Sequence, residues 1–301
     1  MKVIFLGTSG SMPTQDRSSS SIAIRRKGEI IMFDCGEGTQ RRMVATRIGF
    51  RRPTRIFITH LHGDHVLGLP GLIQTMTLLQ RERSLHIYGP TGITRFIEAF
   101  SSVLGGSGFA IRINEIISEG IIYSGSEYSV TAIKADHDEP SWSYILEEYP
   151  RPGKFYPTKA KSFGVPEGPL WKRLQRGEDV KLSDGRVVRS MDVVDPSRRG
   201  LKLAYSGDTR PTEAFSNAAE GADLMIHEAT FDDSLDEKAG ENGHSTATKA
   251  AEVARAAGVG LLILTHISSR YPDVSVLLEE AKKVFQETKI AEDLMEIELP
   301  F

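Results

Sequence analysis

The hexapeptide His60-Leu61-His62-Gly63-Asp64-His65 places three imidazoles and one carboxylate within six residues. A hydrophobic run at residues 55–59 leads into the hexapeptide, and a helix-like pattern follows it. Neutral imidazole nitrogen and carboxylate oxygen are ligands of zinc and, to a lesser degree, of manganese and iron. Few structural reasons would concentrate such groups at one strand end, so the hexapeptide predicts a metal-dependent hydrolase.

Length and composition are those of an ordinary globular protein. The 301 residues can bury a large core, in one big domain or two smaller ones. Hydrophobic residues make up 40% and charged residues 26%, and the formal net charge of −3 does not indicate a nucleic-acid binder overall. Basic charge concentrated in one segment would still allow such binding.

A single cysteine, Cys35, excludes an intrachain disulfide and any four-cysteine zinc site, and it favours a reducing cytosol. The apolar run at the N-terminus is too short for a signal peptide and is typical of a buried strand. No segment approaches the roughly 18 to 20 apolar residues that cross a bilayer. We therefore expect a cytoplasmic protein.

Seven apolar runs end in polar residues of the kind that bind metals or catalyse reactions. Each run suits a buried strand, and its polar end suits a loop at the sheet edge, where layered α/β proteins assemble their sites. The runs and their ends are 3–6 with Gly7, 30–33 with Asp34, 55–59 with His60, 128–135 with Asp136 and His137, 201–205 with Asp208 shortly after, 223–226 with His227 and Glu228, and 261–265 with His266.

Helical patterns lie between these runs, at residues 67–81, 93–104, 245–257 and 274–288. Strands precede helices in both halves of the chain. This order predicts an α/β fold in which one domain, residues 1–301, forms an αβ/βα sandwich of two mixed sheets flanked by helices. A single doubly wound sheet would also fit the pattern.

The four potential ligands of the hexapeptide are too few to complete the coordination of two metal ions. In an extended chain His60 and His62 project to the same face and can hold one ion, while Asp64 and His65 can reach a second. The remaining ligands then come from other strand ends, with Asp208 bridging two ions in a phosphodiester-cleaving centre. A lone histidine such as His137 is more often a hydrogen-bonded loop residue, so its assignment depends on the hexapeptide. The predicted sets are His60, His62, His137 and Asp208 for one ion, and Asp64, His65, His266 and Asp208 for the other.

Residues 149–181 interrupt the alternation of strands and helices. The segment is rich in proline and glycine, and compact domains rarely contain so long a connection without a function. Residues 151–181 include eight basic and three acidic residues, so the net charge of this stretch is +5 and that of the remainder of the chain is −8. Aromatic residues are interleaved with these charges. The segment is either a basic binding arm or a solvated loop.

The hexapeptide resembles the signature of the metallo-β-lactamase superfamily, and the whole chain resembles the tRNase Z family of endonucleases that mature tRNA 3′ ends. The resemblance runs nearly from end to end, and the length is that of the short form. The matching motifs are Gly7-Thr8-Ser9, Met12-Pro13-Thr14, residues 34–40, Ser206-Gly207-Asp208-Thr209, residues 227–230, His244-Ser245-Thr246 and residues 265–271.

This resemblance implies a zinc-dependent endoribonuclease with two Zn²⁺ per subunit, Mn²⁺ or another divalent ion being possible. It implies cleavage after the discriminator base to leave a 3′-hydroxyl. Asp64 is implied as the general base beside the attacking water, and His244 as the residue near the leaving oxygen. Glu228 is implied to orient His244 or to raise its pKa, although a structural carboxylate holding a loop fits Glu228 nearly as well.

Residues 164–170 resemble the glycine-proline core of the protruding tRNA-binding arm of that family. The resemblance also implies a homodimer, in which the arm of one subunit grips precursor tRNA at the site of the other. Arm contact with backbone phosphate would recognise RNA shape rather than sequence. The substrate-binding residues predicted in this arm are Gly164, Pro166, Gly168, Pro169, Lys172 and Arg173.

Two other functions fit the same residues. One is a metal-dependent phosphodiesterase acting on other RNA or on small phosphodiesters, and the other is a noncatalytic RNA-binding protein. The intact ligand set argues against the second. A further basic cluster, Arg41, Arg42, Arg47, Arg51, Arg52 and Arg55, is either a surface that faces tRNA or a solvated face.

Overall fold

Two seven-stranded sheets make up most of the chain in this computed structural model, which describes residues 1–300. In space, the first sheet has the order β18-β1-β3-β4-β5-β6-β7 and the second has the order β17-β15-β14-β13-β10-β9-β8. The strands are β1 (Lys2–Gly7), β2 (Ser9–Gly10), β3 (Ser21–Arg26), β4 (Glu29–Phe33), β5 (Thr54–Phe57), β6 (Leu85–Pro90), β7 (Ile111–Ile116), β8 (Gly120–Ser124), β9 (Tyr128–Lys134), β10 (Trp142–Glu148), β11 (Val180–Lys181), β12 (Val187–Val188), β13 (Lys202–Tyr205), β14 (Leu224–Glu228), β15 (Leu262–Thr265), β16 (Ile267–Ser268), β17 (Thr288–Ile290) and β18 (Glu296–Glu298).

Both sheets are mixed. Strands β4 to β7 run parallel to one another, whereas β1 pairs antiparallel with β3 and β18. In the second sheet β13, β14, β15 and β17 are parallel, and β10 pairs antiparallel with β13. Two separate mixed sheets confirm the predicted αβ/βα sandwich and exclude the single doubly wound sheet.

Aromatic side chains fill the space between the two sheets. Phe33 of the first sheet stacks on Tyr144 and Tyr205 of the second, with ring centroids 5.7 and 5.3 Å apart. The buried Tyr144 hydroxyl donates a hydrogen bond to the Ile58 carbonyl at 2.5 Å. Because β5 ends at Phe57, this contact fixes the segment that leads into His60 against the opposite sheet.

Helices cover the outer face of each sheet. Helices α1, α3 and α4 pack on the first sheet through a buried apolar cluster, and α8, α10 and α11 pack on the second. No helix within residues 1–300 is long and apolar enough to cross a membrane. The helices are α1 (Thr39–Ala45), α2 (Gly63–Val66), α3 (Gly68–Leu78), α4 (Ile93–Leu104), α5 (Pro157–Ser162), α6 (Pro169–Gln175), α7 (Ser190–Val193), α8 (Glu213–Ala218), α9 (Asp236–Glu241), α10 (Ala247–Ala257) and α11 (Ser275–Val284).

The seven predicted strands and four predicted helices are all present, with shifts at their ends. The helix predicted at 274–288 ends at Val284, because Phe285 adopts extended backbone and the strand β17 begins at Thr288. Strand β10 has no continuous apolar run and was not predicted. Its Ser143 is nevertheless fully buried, because the hydroxyl donates to the Ser206 carbonyl at 2.5 Å.

Residues 148–201 form a second compact unit, which contains the predicted segment 149–181 and continues beyond it. Helices α5, α6 and α7 and the hairpin β11–β12 surround a small apolar core. The backbone N–H of Glu148 donates to the Leu201 carbonyl at 2.9 Å, so the chain enters and leaves the unit at adjacent points. The core residues are Ala160, Val165, Leu174, Val180, Leu182, Val188, Val193 and Val194.

Candidate metal centre

Loops at the ends of four strands converge at one edge of the sandwich. His60 and His62 follow β5, and α2 begins immediately afterwards with Asp64 and His65 on its first turn. The loops after β9, β13 and β15 contribute one residue each. The structure thereby brings together all seven side chains predicted as ligands, namely His60, His62, Asp64, His65, His137, Asp208 and His266.

Their potential ligand atoms lie within a few ångströms of one another. Oδ2 of Asp208 lies 3.3 Å from Nε2 of His65 and 3.2 Å from Nε2 of His266. It also lies 3.7 Å from Nε2 of His60. This oxygen is therefore close to imidazoles of both predicted sets.

Two of the groups of side chains that could hold a metal ion each contain members of one predicted set. His60, His62 and His137 form one group, in which Nδ1 of His62 lies 3.4 Å from Nε2 of His137. Asp64, His65 and His266 form the other, in which Oδ2 of Asp64 lies 3.3 Å from Nε2 of His266. Asp208 joins His60 and His65 in a third such group, and it joins His244 and His266 in a fourth.

Hydrogen bonds to the outer nitrogens of His65 and His60 orient both rings. Nδ1 of His65 donates to Oδ2 of Asp34 at 2.8 Å. The Thr59 hydroxyl donates to Asp34 and therefore accepts from Nδ1 of His60 at 2.9 Å. In both rings Nε2 therefore faces the centre of the cluster, which is the orientation of a metal-bound histidine.

The rings of His266 and His137 are held in the same way. The Thr230 hydroxyl donates to Glu228 and accepts from Nδ1 of His266 at 2.9 Å. Nδ1 of His137 donates to the Gly243 carbonyl at 2.9 Å. The hydrogen bonds at Nδ1 therefore turn the Nε2 atoms of all four imidazoles toward one small volume.

Two buried polar atoms in the centre fit a bound cation. Nε2 of His60 and Oδ1 of Asp208 are buried and lack a hydrogen-bond partner among the described residues. Nε2 of His65 also lies only 3.2 Å from Nε2 of His266. Unpaired buried atoms of this kind are unfavourable unless an ion or water satisfies them. The imidazole and carboxylate donors therefore suit a divalent metal ion.

The charges of the side chains around the cluster favour binding of a cation there. Burial lowers the pKa of His60 well below its ordinary value, and the neighbouring His65 acts in the same direction. Burial would also lower the pKa of His65, but Asp208 and Asp34 outweigh it and raise that pKa well above the ordinary value. Burial would raise the pKa of Asp208, yet His266 and His65 hold it well below the usual range. The carboxylates thus remain ionised and attract a cation.

Asp64 lies at the open side of the cluster. Its Oδ2 accepts a hydrogen bond from the Ser11 backbone N–H at 2.8 Å. Burial would raise the pKa of this carboxyl, but the hydrogen bond from His266 and the nearby His65 lower it below the ordinary value. Asp64 is therefore an ionised acceptor, held in position by the loop that follows β2.

His244 and Glu228 form a hydrogen-bonded pair beside the cluster. Nδ1 of His244 lies 2.8 Å from Oε1 of Glu228, whose side chain is fully buried. Glu228 also accepts from the Thr209 N–H at 3.0 Å and from the Thr230 hydroxyl at 2.7 Å. Burial would lower the pKa of His244, but the charge of Glu228 and their hydrogen bond raise it to about 9.

Sequence reasoning did not assign the residues that orient the ligands. Asp34 was noted as a polar strand end and as part of the motif at residues 34–40 but was given no role, yet it accepts hydrogen bonds from His65, from Thr59 and from the Tyr205 hydroxyl at 2.7 Å. Its place directly after the buried strand β4 and in that motif was the available signal, and the motif at residues 227–230 was the signal for Thr230. Tyr205 carried no comparable signal, because an isolated hydroxyl has many ordinary roles.

The residues predicted to bind substrate in the arm lie in the unit 148–201. Gly164 follows α5 with φ of 80°, and Gly168 precedes α6 with φ of 140°, backbone conformations that favour glycine. Pro166 lies between these glycines, and Pro169 is the first residue of α6. Lys172 and Arg173 are exposed in the last turn of that helix.

Three arginines of the further basic cluster have structural partners. Arg42 forms an ion pair with Asp293 at 2.9 Å, and Arg55 forms one with Glu29 at 2.6 Å. Arg51 donates to the Leu79 carbonyl. These contacts favour a solvated structural face for at least this part of the cluster.

Comparison with known proteins identifies the family. Residues 1–105 match the family model of the anti-Pycsar protein Apyc1, and residues 190–267 match that of the beta-lactamase superfamily domain.

The chain is 46% identical to ribonuclease Z of Methanosarcina acetivorans over 303 residues, which cover 100% of this chain and 99% of the relative. It is 47% identical to ribonuclease Z of Methanothermobacter thermautotrophicus, with 99% and 97% covered. The crystal structure of human tRNase Z, short form, is similar over 100% of both chains, with a TM-score of 0.75 and 29% identity. Since identity near one half extends over the full length of its relatives, the chain belongs to the ribonuclease Z family.

Proposed function

We propose that this protein is a zinc-dependent endoribonuclease that removes 3′ trailers from precursor tRNA, cutting after the discriminator base to leave a 3′-hydroxyl. The observation that carries the proposal is the seven-ligand cluster with the His244–Glu228 pair beside it, in a chain of the ribonuclease Z family. Two ions would occupy the cluster, one held by each set of ligands and both by Asp208.

Cleavage requires water to attack the scissile phosphorus while the bond to the 3′ oxygen breaks. When bound, two divalent ions supply Lewis-acid stabilisation of the phosphate and lower the pKa of the attacking water. The protein's own side chains then have to accept one proton from that water and donate one to the departing oxygen. The 5′-phosphate remains on the released trailer.

Asp64 is suited to accept the proton. Its carboxylate is ionised at neutral pH and held by the Ser11 N–H at 2.8 Å, which fixes one oxygen and leaves the other available. Because a general base must lie within hydrogen-bond reach of the proton it takes, its position at the edge of the ligand cluster supports this role.

His244 is suited to donate the second proton. Glu228 engages Nδ1, so Nε2 is the nitrogen free to face the substrate. With its pKa raised to about 9, the imidazole is protonated at neutral pH and can give a proton to the 3′ oxygen as it leaves. Glu228 in this account both orients the ring and stabilises its charge.

The unit 148–201 would provide the arm that binds tRNA. Its basic residues can neutralise backbone phosphate with release of counterions. Its own apolar core supports the exposed Lys172 and Arg173 on a folded helix rather than on a loose loop. Gly164, Pro166, Gly168 and Pro169 would shape the turn that presents this helix.

Two further parts of the proposal rest on family membership and composition. The protein would act as a homodimer, which light scattering of the purified chain would test. It would work in the cytoplasm, in keeping with a single cysteine that is fully buried as a free thiol.

The proposal is tested by incubating the protein with a 3′-extended precursor tRNA, with and without a chelator, and mapping both product ends. We expect one cut directly after the discriminator base, a 3′-hydroxyl on the tRNA, a 5′-phosphate on the trailer, and loss of cleavage with the chelator. Hydrolysis of a small phosphodiester without any cut in precursor tRNA would instead favour a general phosphodiesterase.

A further inference from the structure

Arg210 connects three loops of the metal centre. It lies two residues after Asp208, and its backbone N–H donates to the Asp136 carbonyl at 2.8 Å. Asp136 N–H in turn donates to the Thr209 hydroxyl at 3.0 Å. The loops that contain Asp208 and His137 are therefore joined through their backbones next to both ligands.

The guanidinium group of Arg210 strengthens the same junction. Nη1 donates to Asp136 at 3.2 Å, and Nη2 donates to Asp138 at 3.0 Å. These two carboxylates flank His137 in the sequence. The arginine therefore holds the residues on both sides of that predicted ligand.

The third loop contains His244. Nε of Arg210 donates to the Gly240 carbonyl at 2.6 Å, and Nη2 approaches the Glu241 carbonyl at 3.4 Å. The loop then turns at Gly243, whose carbonyl accepts from His137 at 2.9 Å. Gly243 has φ of 72°, and a Cβ there would lie 2.6 Å from Nδ1 of His137, so the two segments are in close contact.

We propose that Arg210 is a positioning residue that sets His137 and His244 relative to Asp208. The Arg210 guanidinium connects the loop of His137, a predicted metal ligand, to the segment that leads to His244, the proposed general acid. The backbone of Arg210 lies two residues after Asp208, the predicted bridging carboxylate. Arg210 acts through these residues rather than by touching the substrate.

The geometry explains why this position suits arginine. The guanidinium has five N–H donors in a fixed plane, so it can serve two carboxylates and a carbonyl together. The carboxylates of Asp136 and Asp138 are both 56% exposed, and exposed ion pairs add little to stability. The effect of Arg210 should therefore appear in the alignment of the site more than in the free energy of unfolding.

The test compares Arg210→Ala with Arg81→Ala. Arg81 also ties separate segments together by donating to the carbonyls of Phe50, Arg52, Arg83 and Ser84, but it is not in the metal centre. Zinc affinity is measured by chelator competition, and amide hydrogen exchange is followed over residues 136–138 and 240–244, both without RNA. Hydrolysis of a small phosphodiester and of precursor tRNA gives kcat and KM.

For Arg210→Ala we expect zinc affinity to fall about tenfold or more, as is typical when a residue supporting a metal ligand is lost. Amide exchange should accelerate in both loops, and kcat should fall on both substrates with little change in KM for precursor tRNA. Arg81→Ala should lower the melting temperature while leaving zinc affinity unchanged. If Arg210→Ala fails to fold, the double variant Asp136→Asn with Asp138→Asn should show the same changes at smaller size.

Other outcomes would overturn the inference. A raised KM for RNA alone, with normal zinc affinity and exchange, would mean that Arg210 contacts substrate phosphate. A lower melting temperature with normal zinc affinity would mean a purely structural role. The inference rests on the proposed metal centre, but zinc affinity and exchange do not depend on RNA. If the wild type fails to cut precursor tRNA, zinc affinity and amide exchange still decide whether Arg210 positions the two loops.

Discussion

Nδ1 of His244 lies 2.8 Å from Oε1 of Glu228, although the two residues are 16 positions apart in the sequence. Glu228 is the last residue of β14 and is fully buried, whereas His244 precedes α10 and remains partly accessible. A buried carboxylate thus holds an imidazole that can still reach the substrate, which is the arrangement expected of an oriented general acid.

Replacing His244 by Ala should leave metal binding intact and lower kcat by about 10²- to 10⁴-fold, the usual contribution of a general acid. The reason is that His244 would donate a proton without ligating an ion. Metal content per chain and single-turnover cleavage of precursor tRNA measure the two effects.

His86→Ala is the matched control, because His86 lies in β6 outside the cluster and contacts Ser84. It should change neither readout. Loss of bound metal in the His244 variant would show instead that this imidazole is a ligand.

Glu228→Gln should make the reaction more sensitive to alkaline pH. In the wild type Glu228 outweighs burial and raises the pKa of His244 to about 9, so the imidazole stays protonated through pH 8. Without that charge the pKa falls, and the proton is lost as pH rises through the neutral range. The ratio of wild-type to variant kcat should therefore be larger at pH 8 than at pH 6. An equal ratio at both values would mean that Glu228 only supports a loop.

Asp34→Asn should weaken metal binding by roughly 10- to 100-fold, because the carboxylate that orients His65 is lost. Oδ2 of Asp34 accepts from Nδ1 of His65 at 2.8 Å and from the Tyr205 hydroxyl at 2.7 Å. Tyr205→Phe removes only the second of these bonds and should have a smaller effect. Chelator competition provides the affinities, and equal losses in the two variants would contradict a direct role of Asp34.

Deleting residues 149–200 should abolish the selective cleavage of tRNA. Glu148 and Leu201 are hydrogen-bonded at 2.9 Å, so a short glycine linker can close the gap. We expect kcat/KM for precursor tRNA to fall by at least about a hundredfold, because several phosphate contacts are lost. Hydrolysis of a small phosphodiester should persist. A folded deletion protein that loses both activities would argue against an arm that only binds tRNA.

Much of the site follows from local sequence. The hexapeptide identified four of the seven clustered side chains, and buried strands ending in His137, Asp208 and His266 indicated the others. The sequence could predict that these residues lie close together, because a run of apolar β-branched residues marks a buried strand and the residue after it lies at a sheet edge.

The hydrogen bonds that orient the predicted ligands depend on which strands are neighbours in the sheets. The local sequence pattern does not give this order. Asp34 reaches Thr59 and His65 because β4 and β5 are parallel neighbours, with Phe33 beside Phe57. Tyr205 reaches Asp34 from the opposite sheet, so that contact requires the packing of the whole sandwich. The pairing of Glu228 with His244 likewise depends on the turn before α10.

The most direct test of the central claim is metal reconstitution of the purified protein on a 3′-extended precursor tRNA. Metal-depleted protein is titrated with zinc while bound metal and cleavage after the discriminator base are followed together. We predict no cleavage without metal and full activity near two ions per chain. Full activity in the metal-depleted protein, or zinc-dependent cutting at other positions only, would contradict the account.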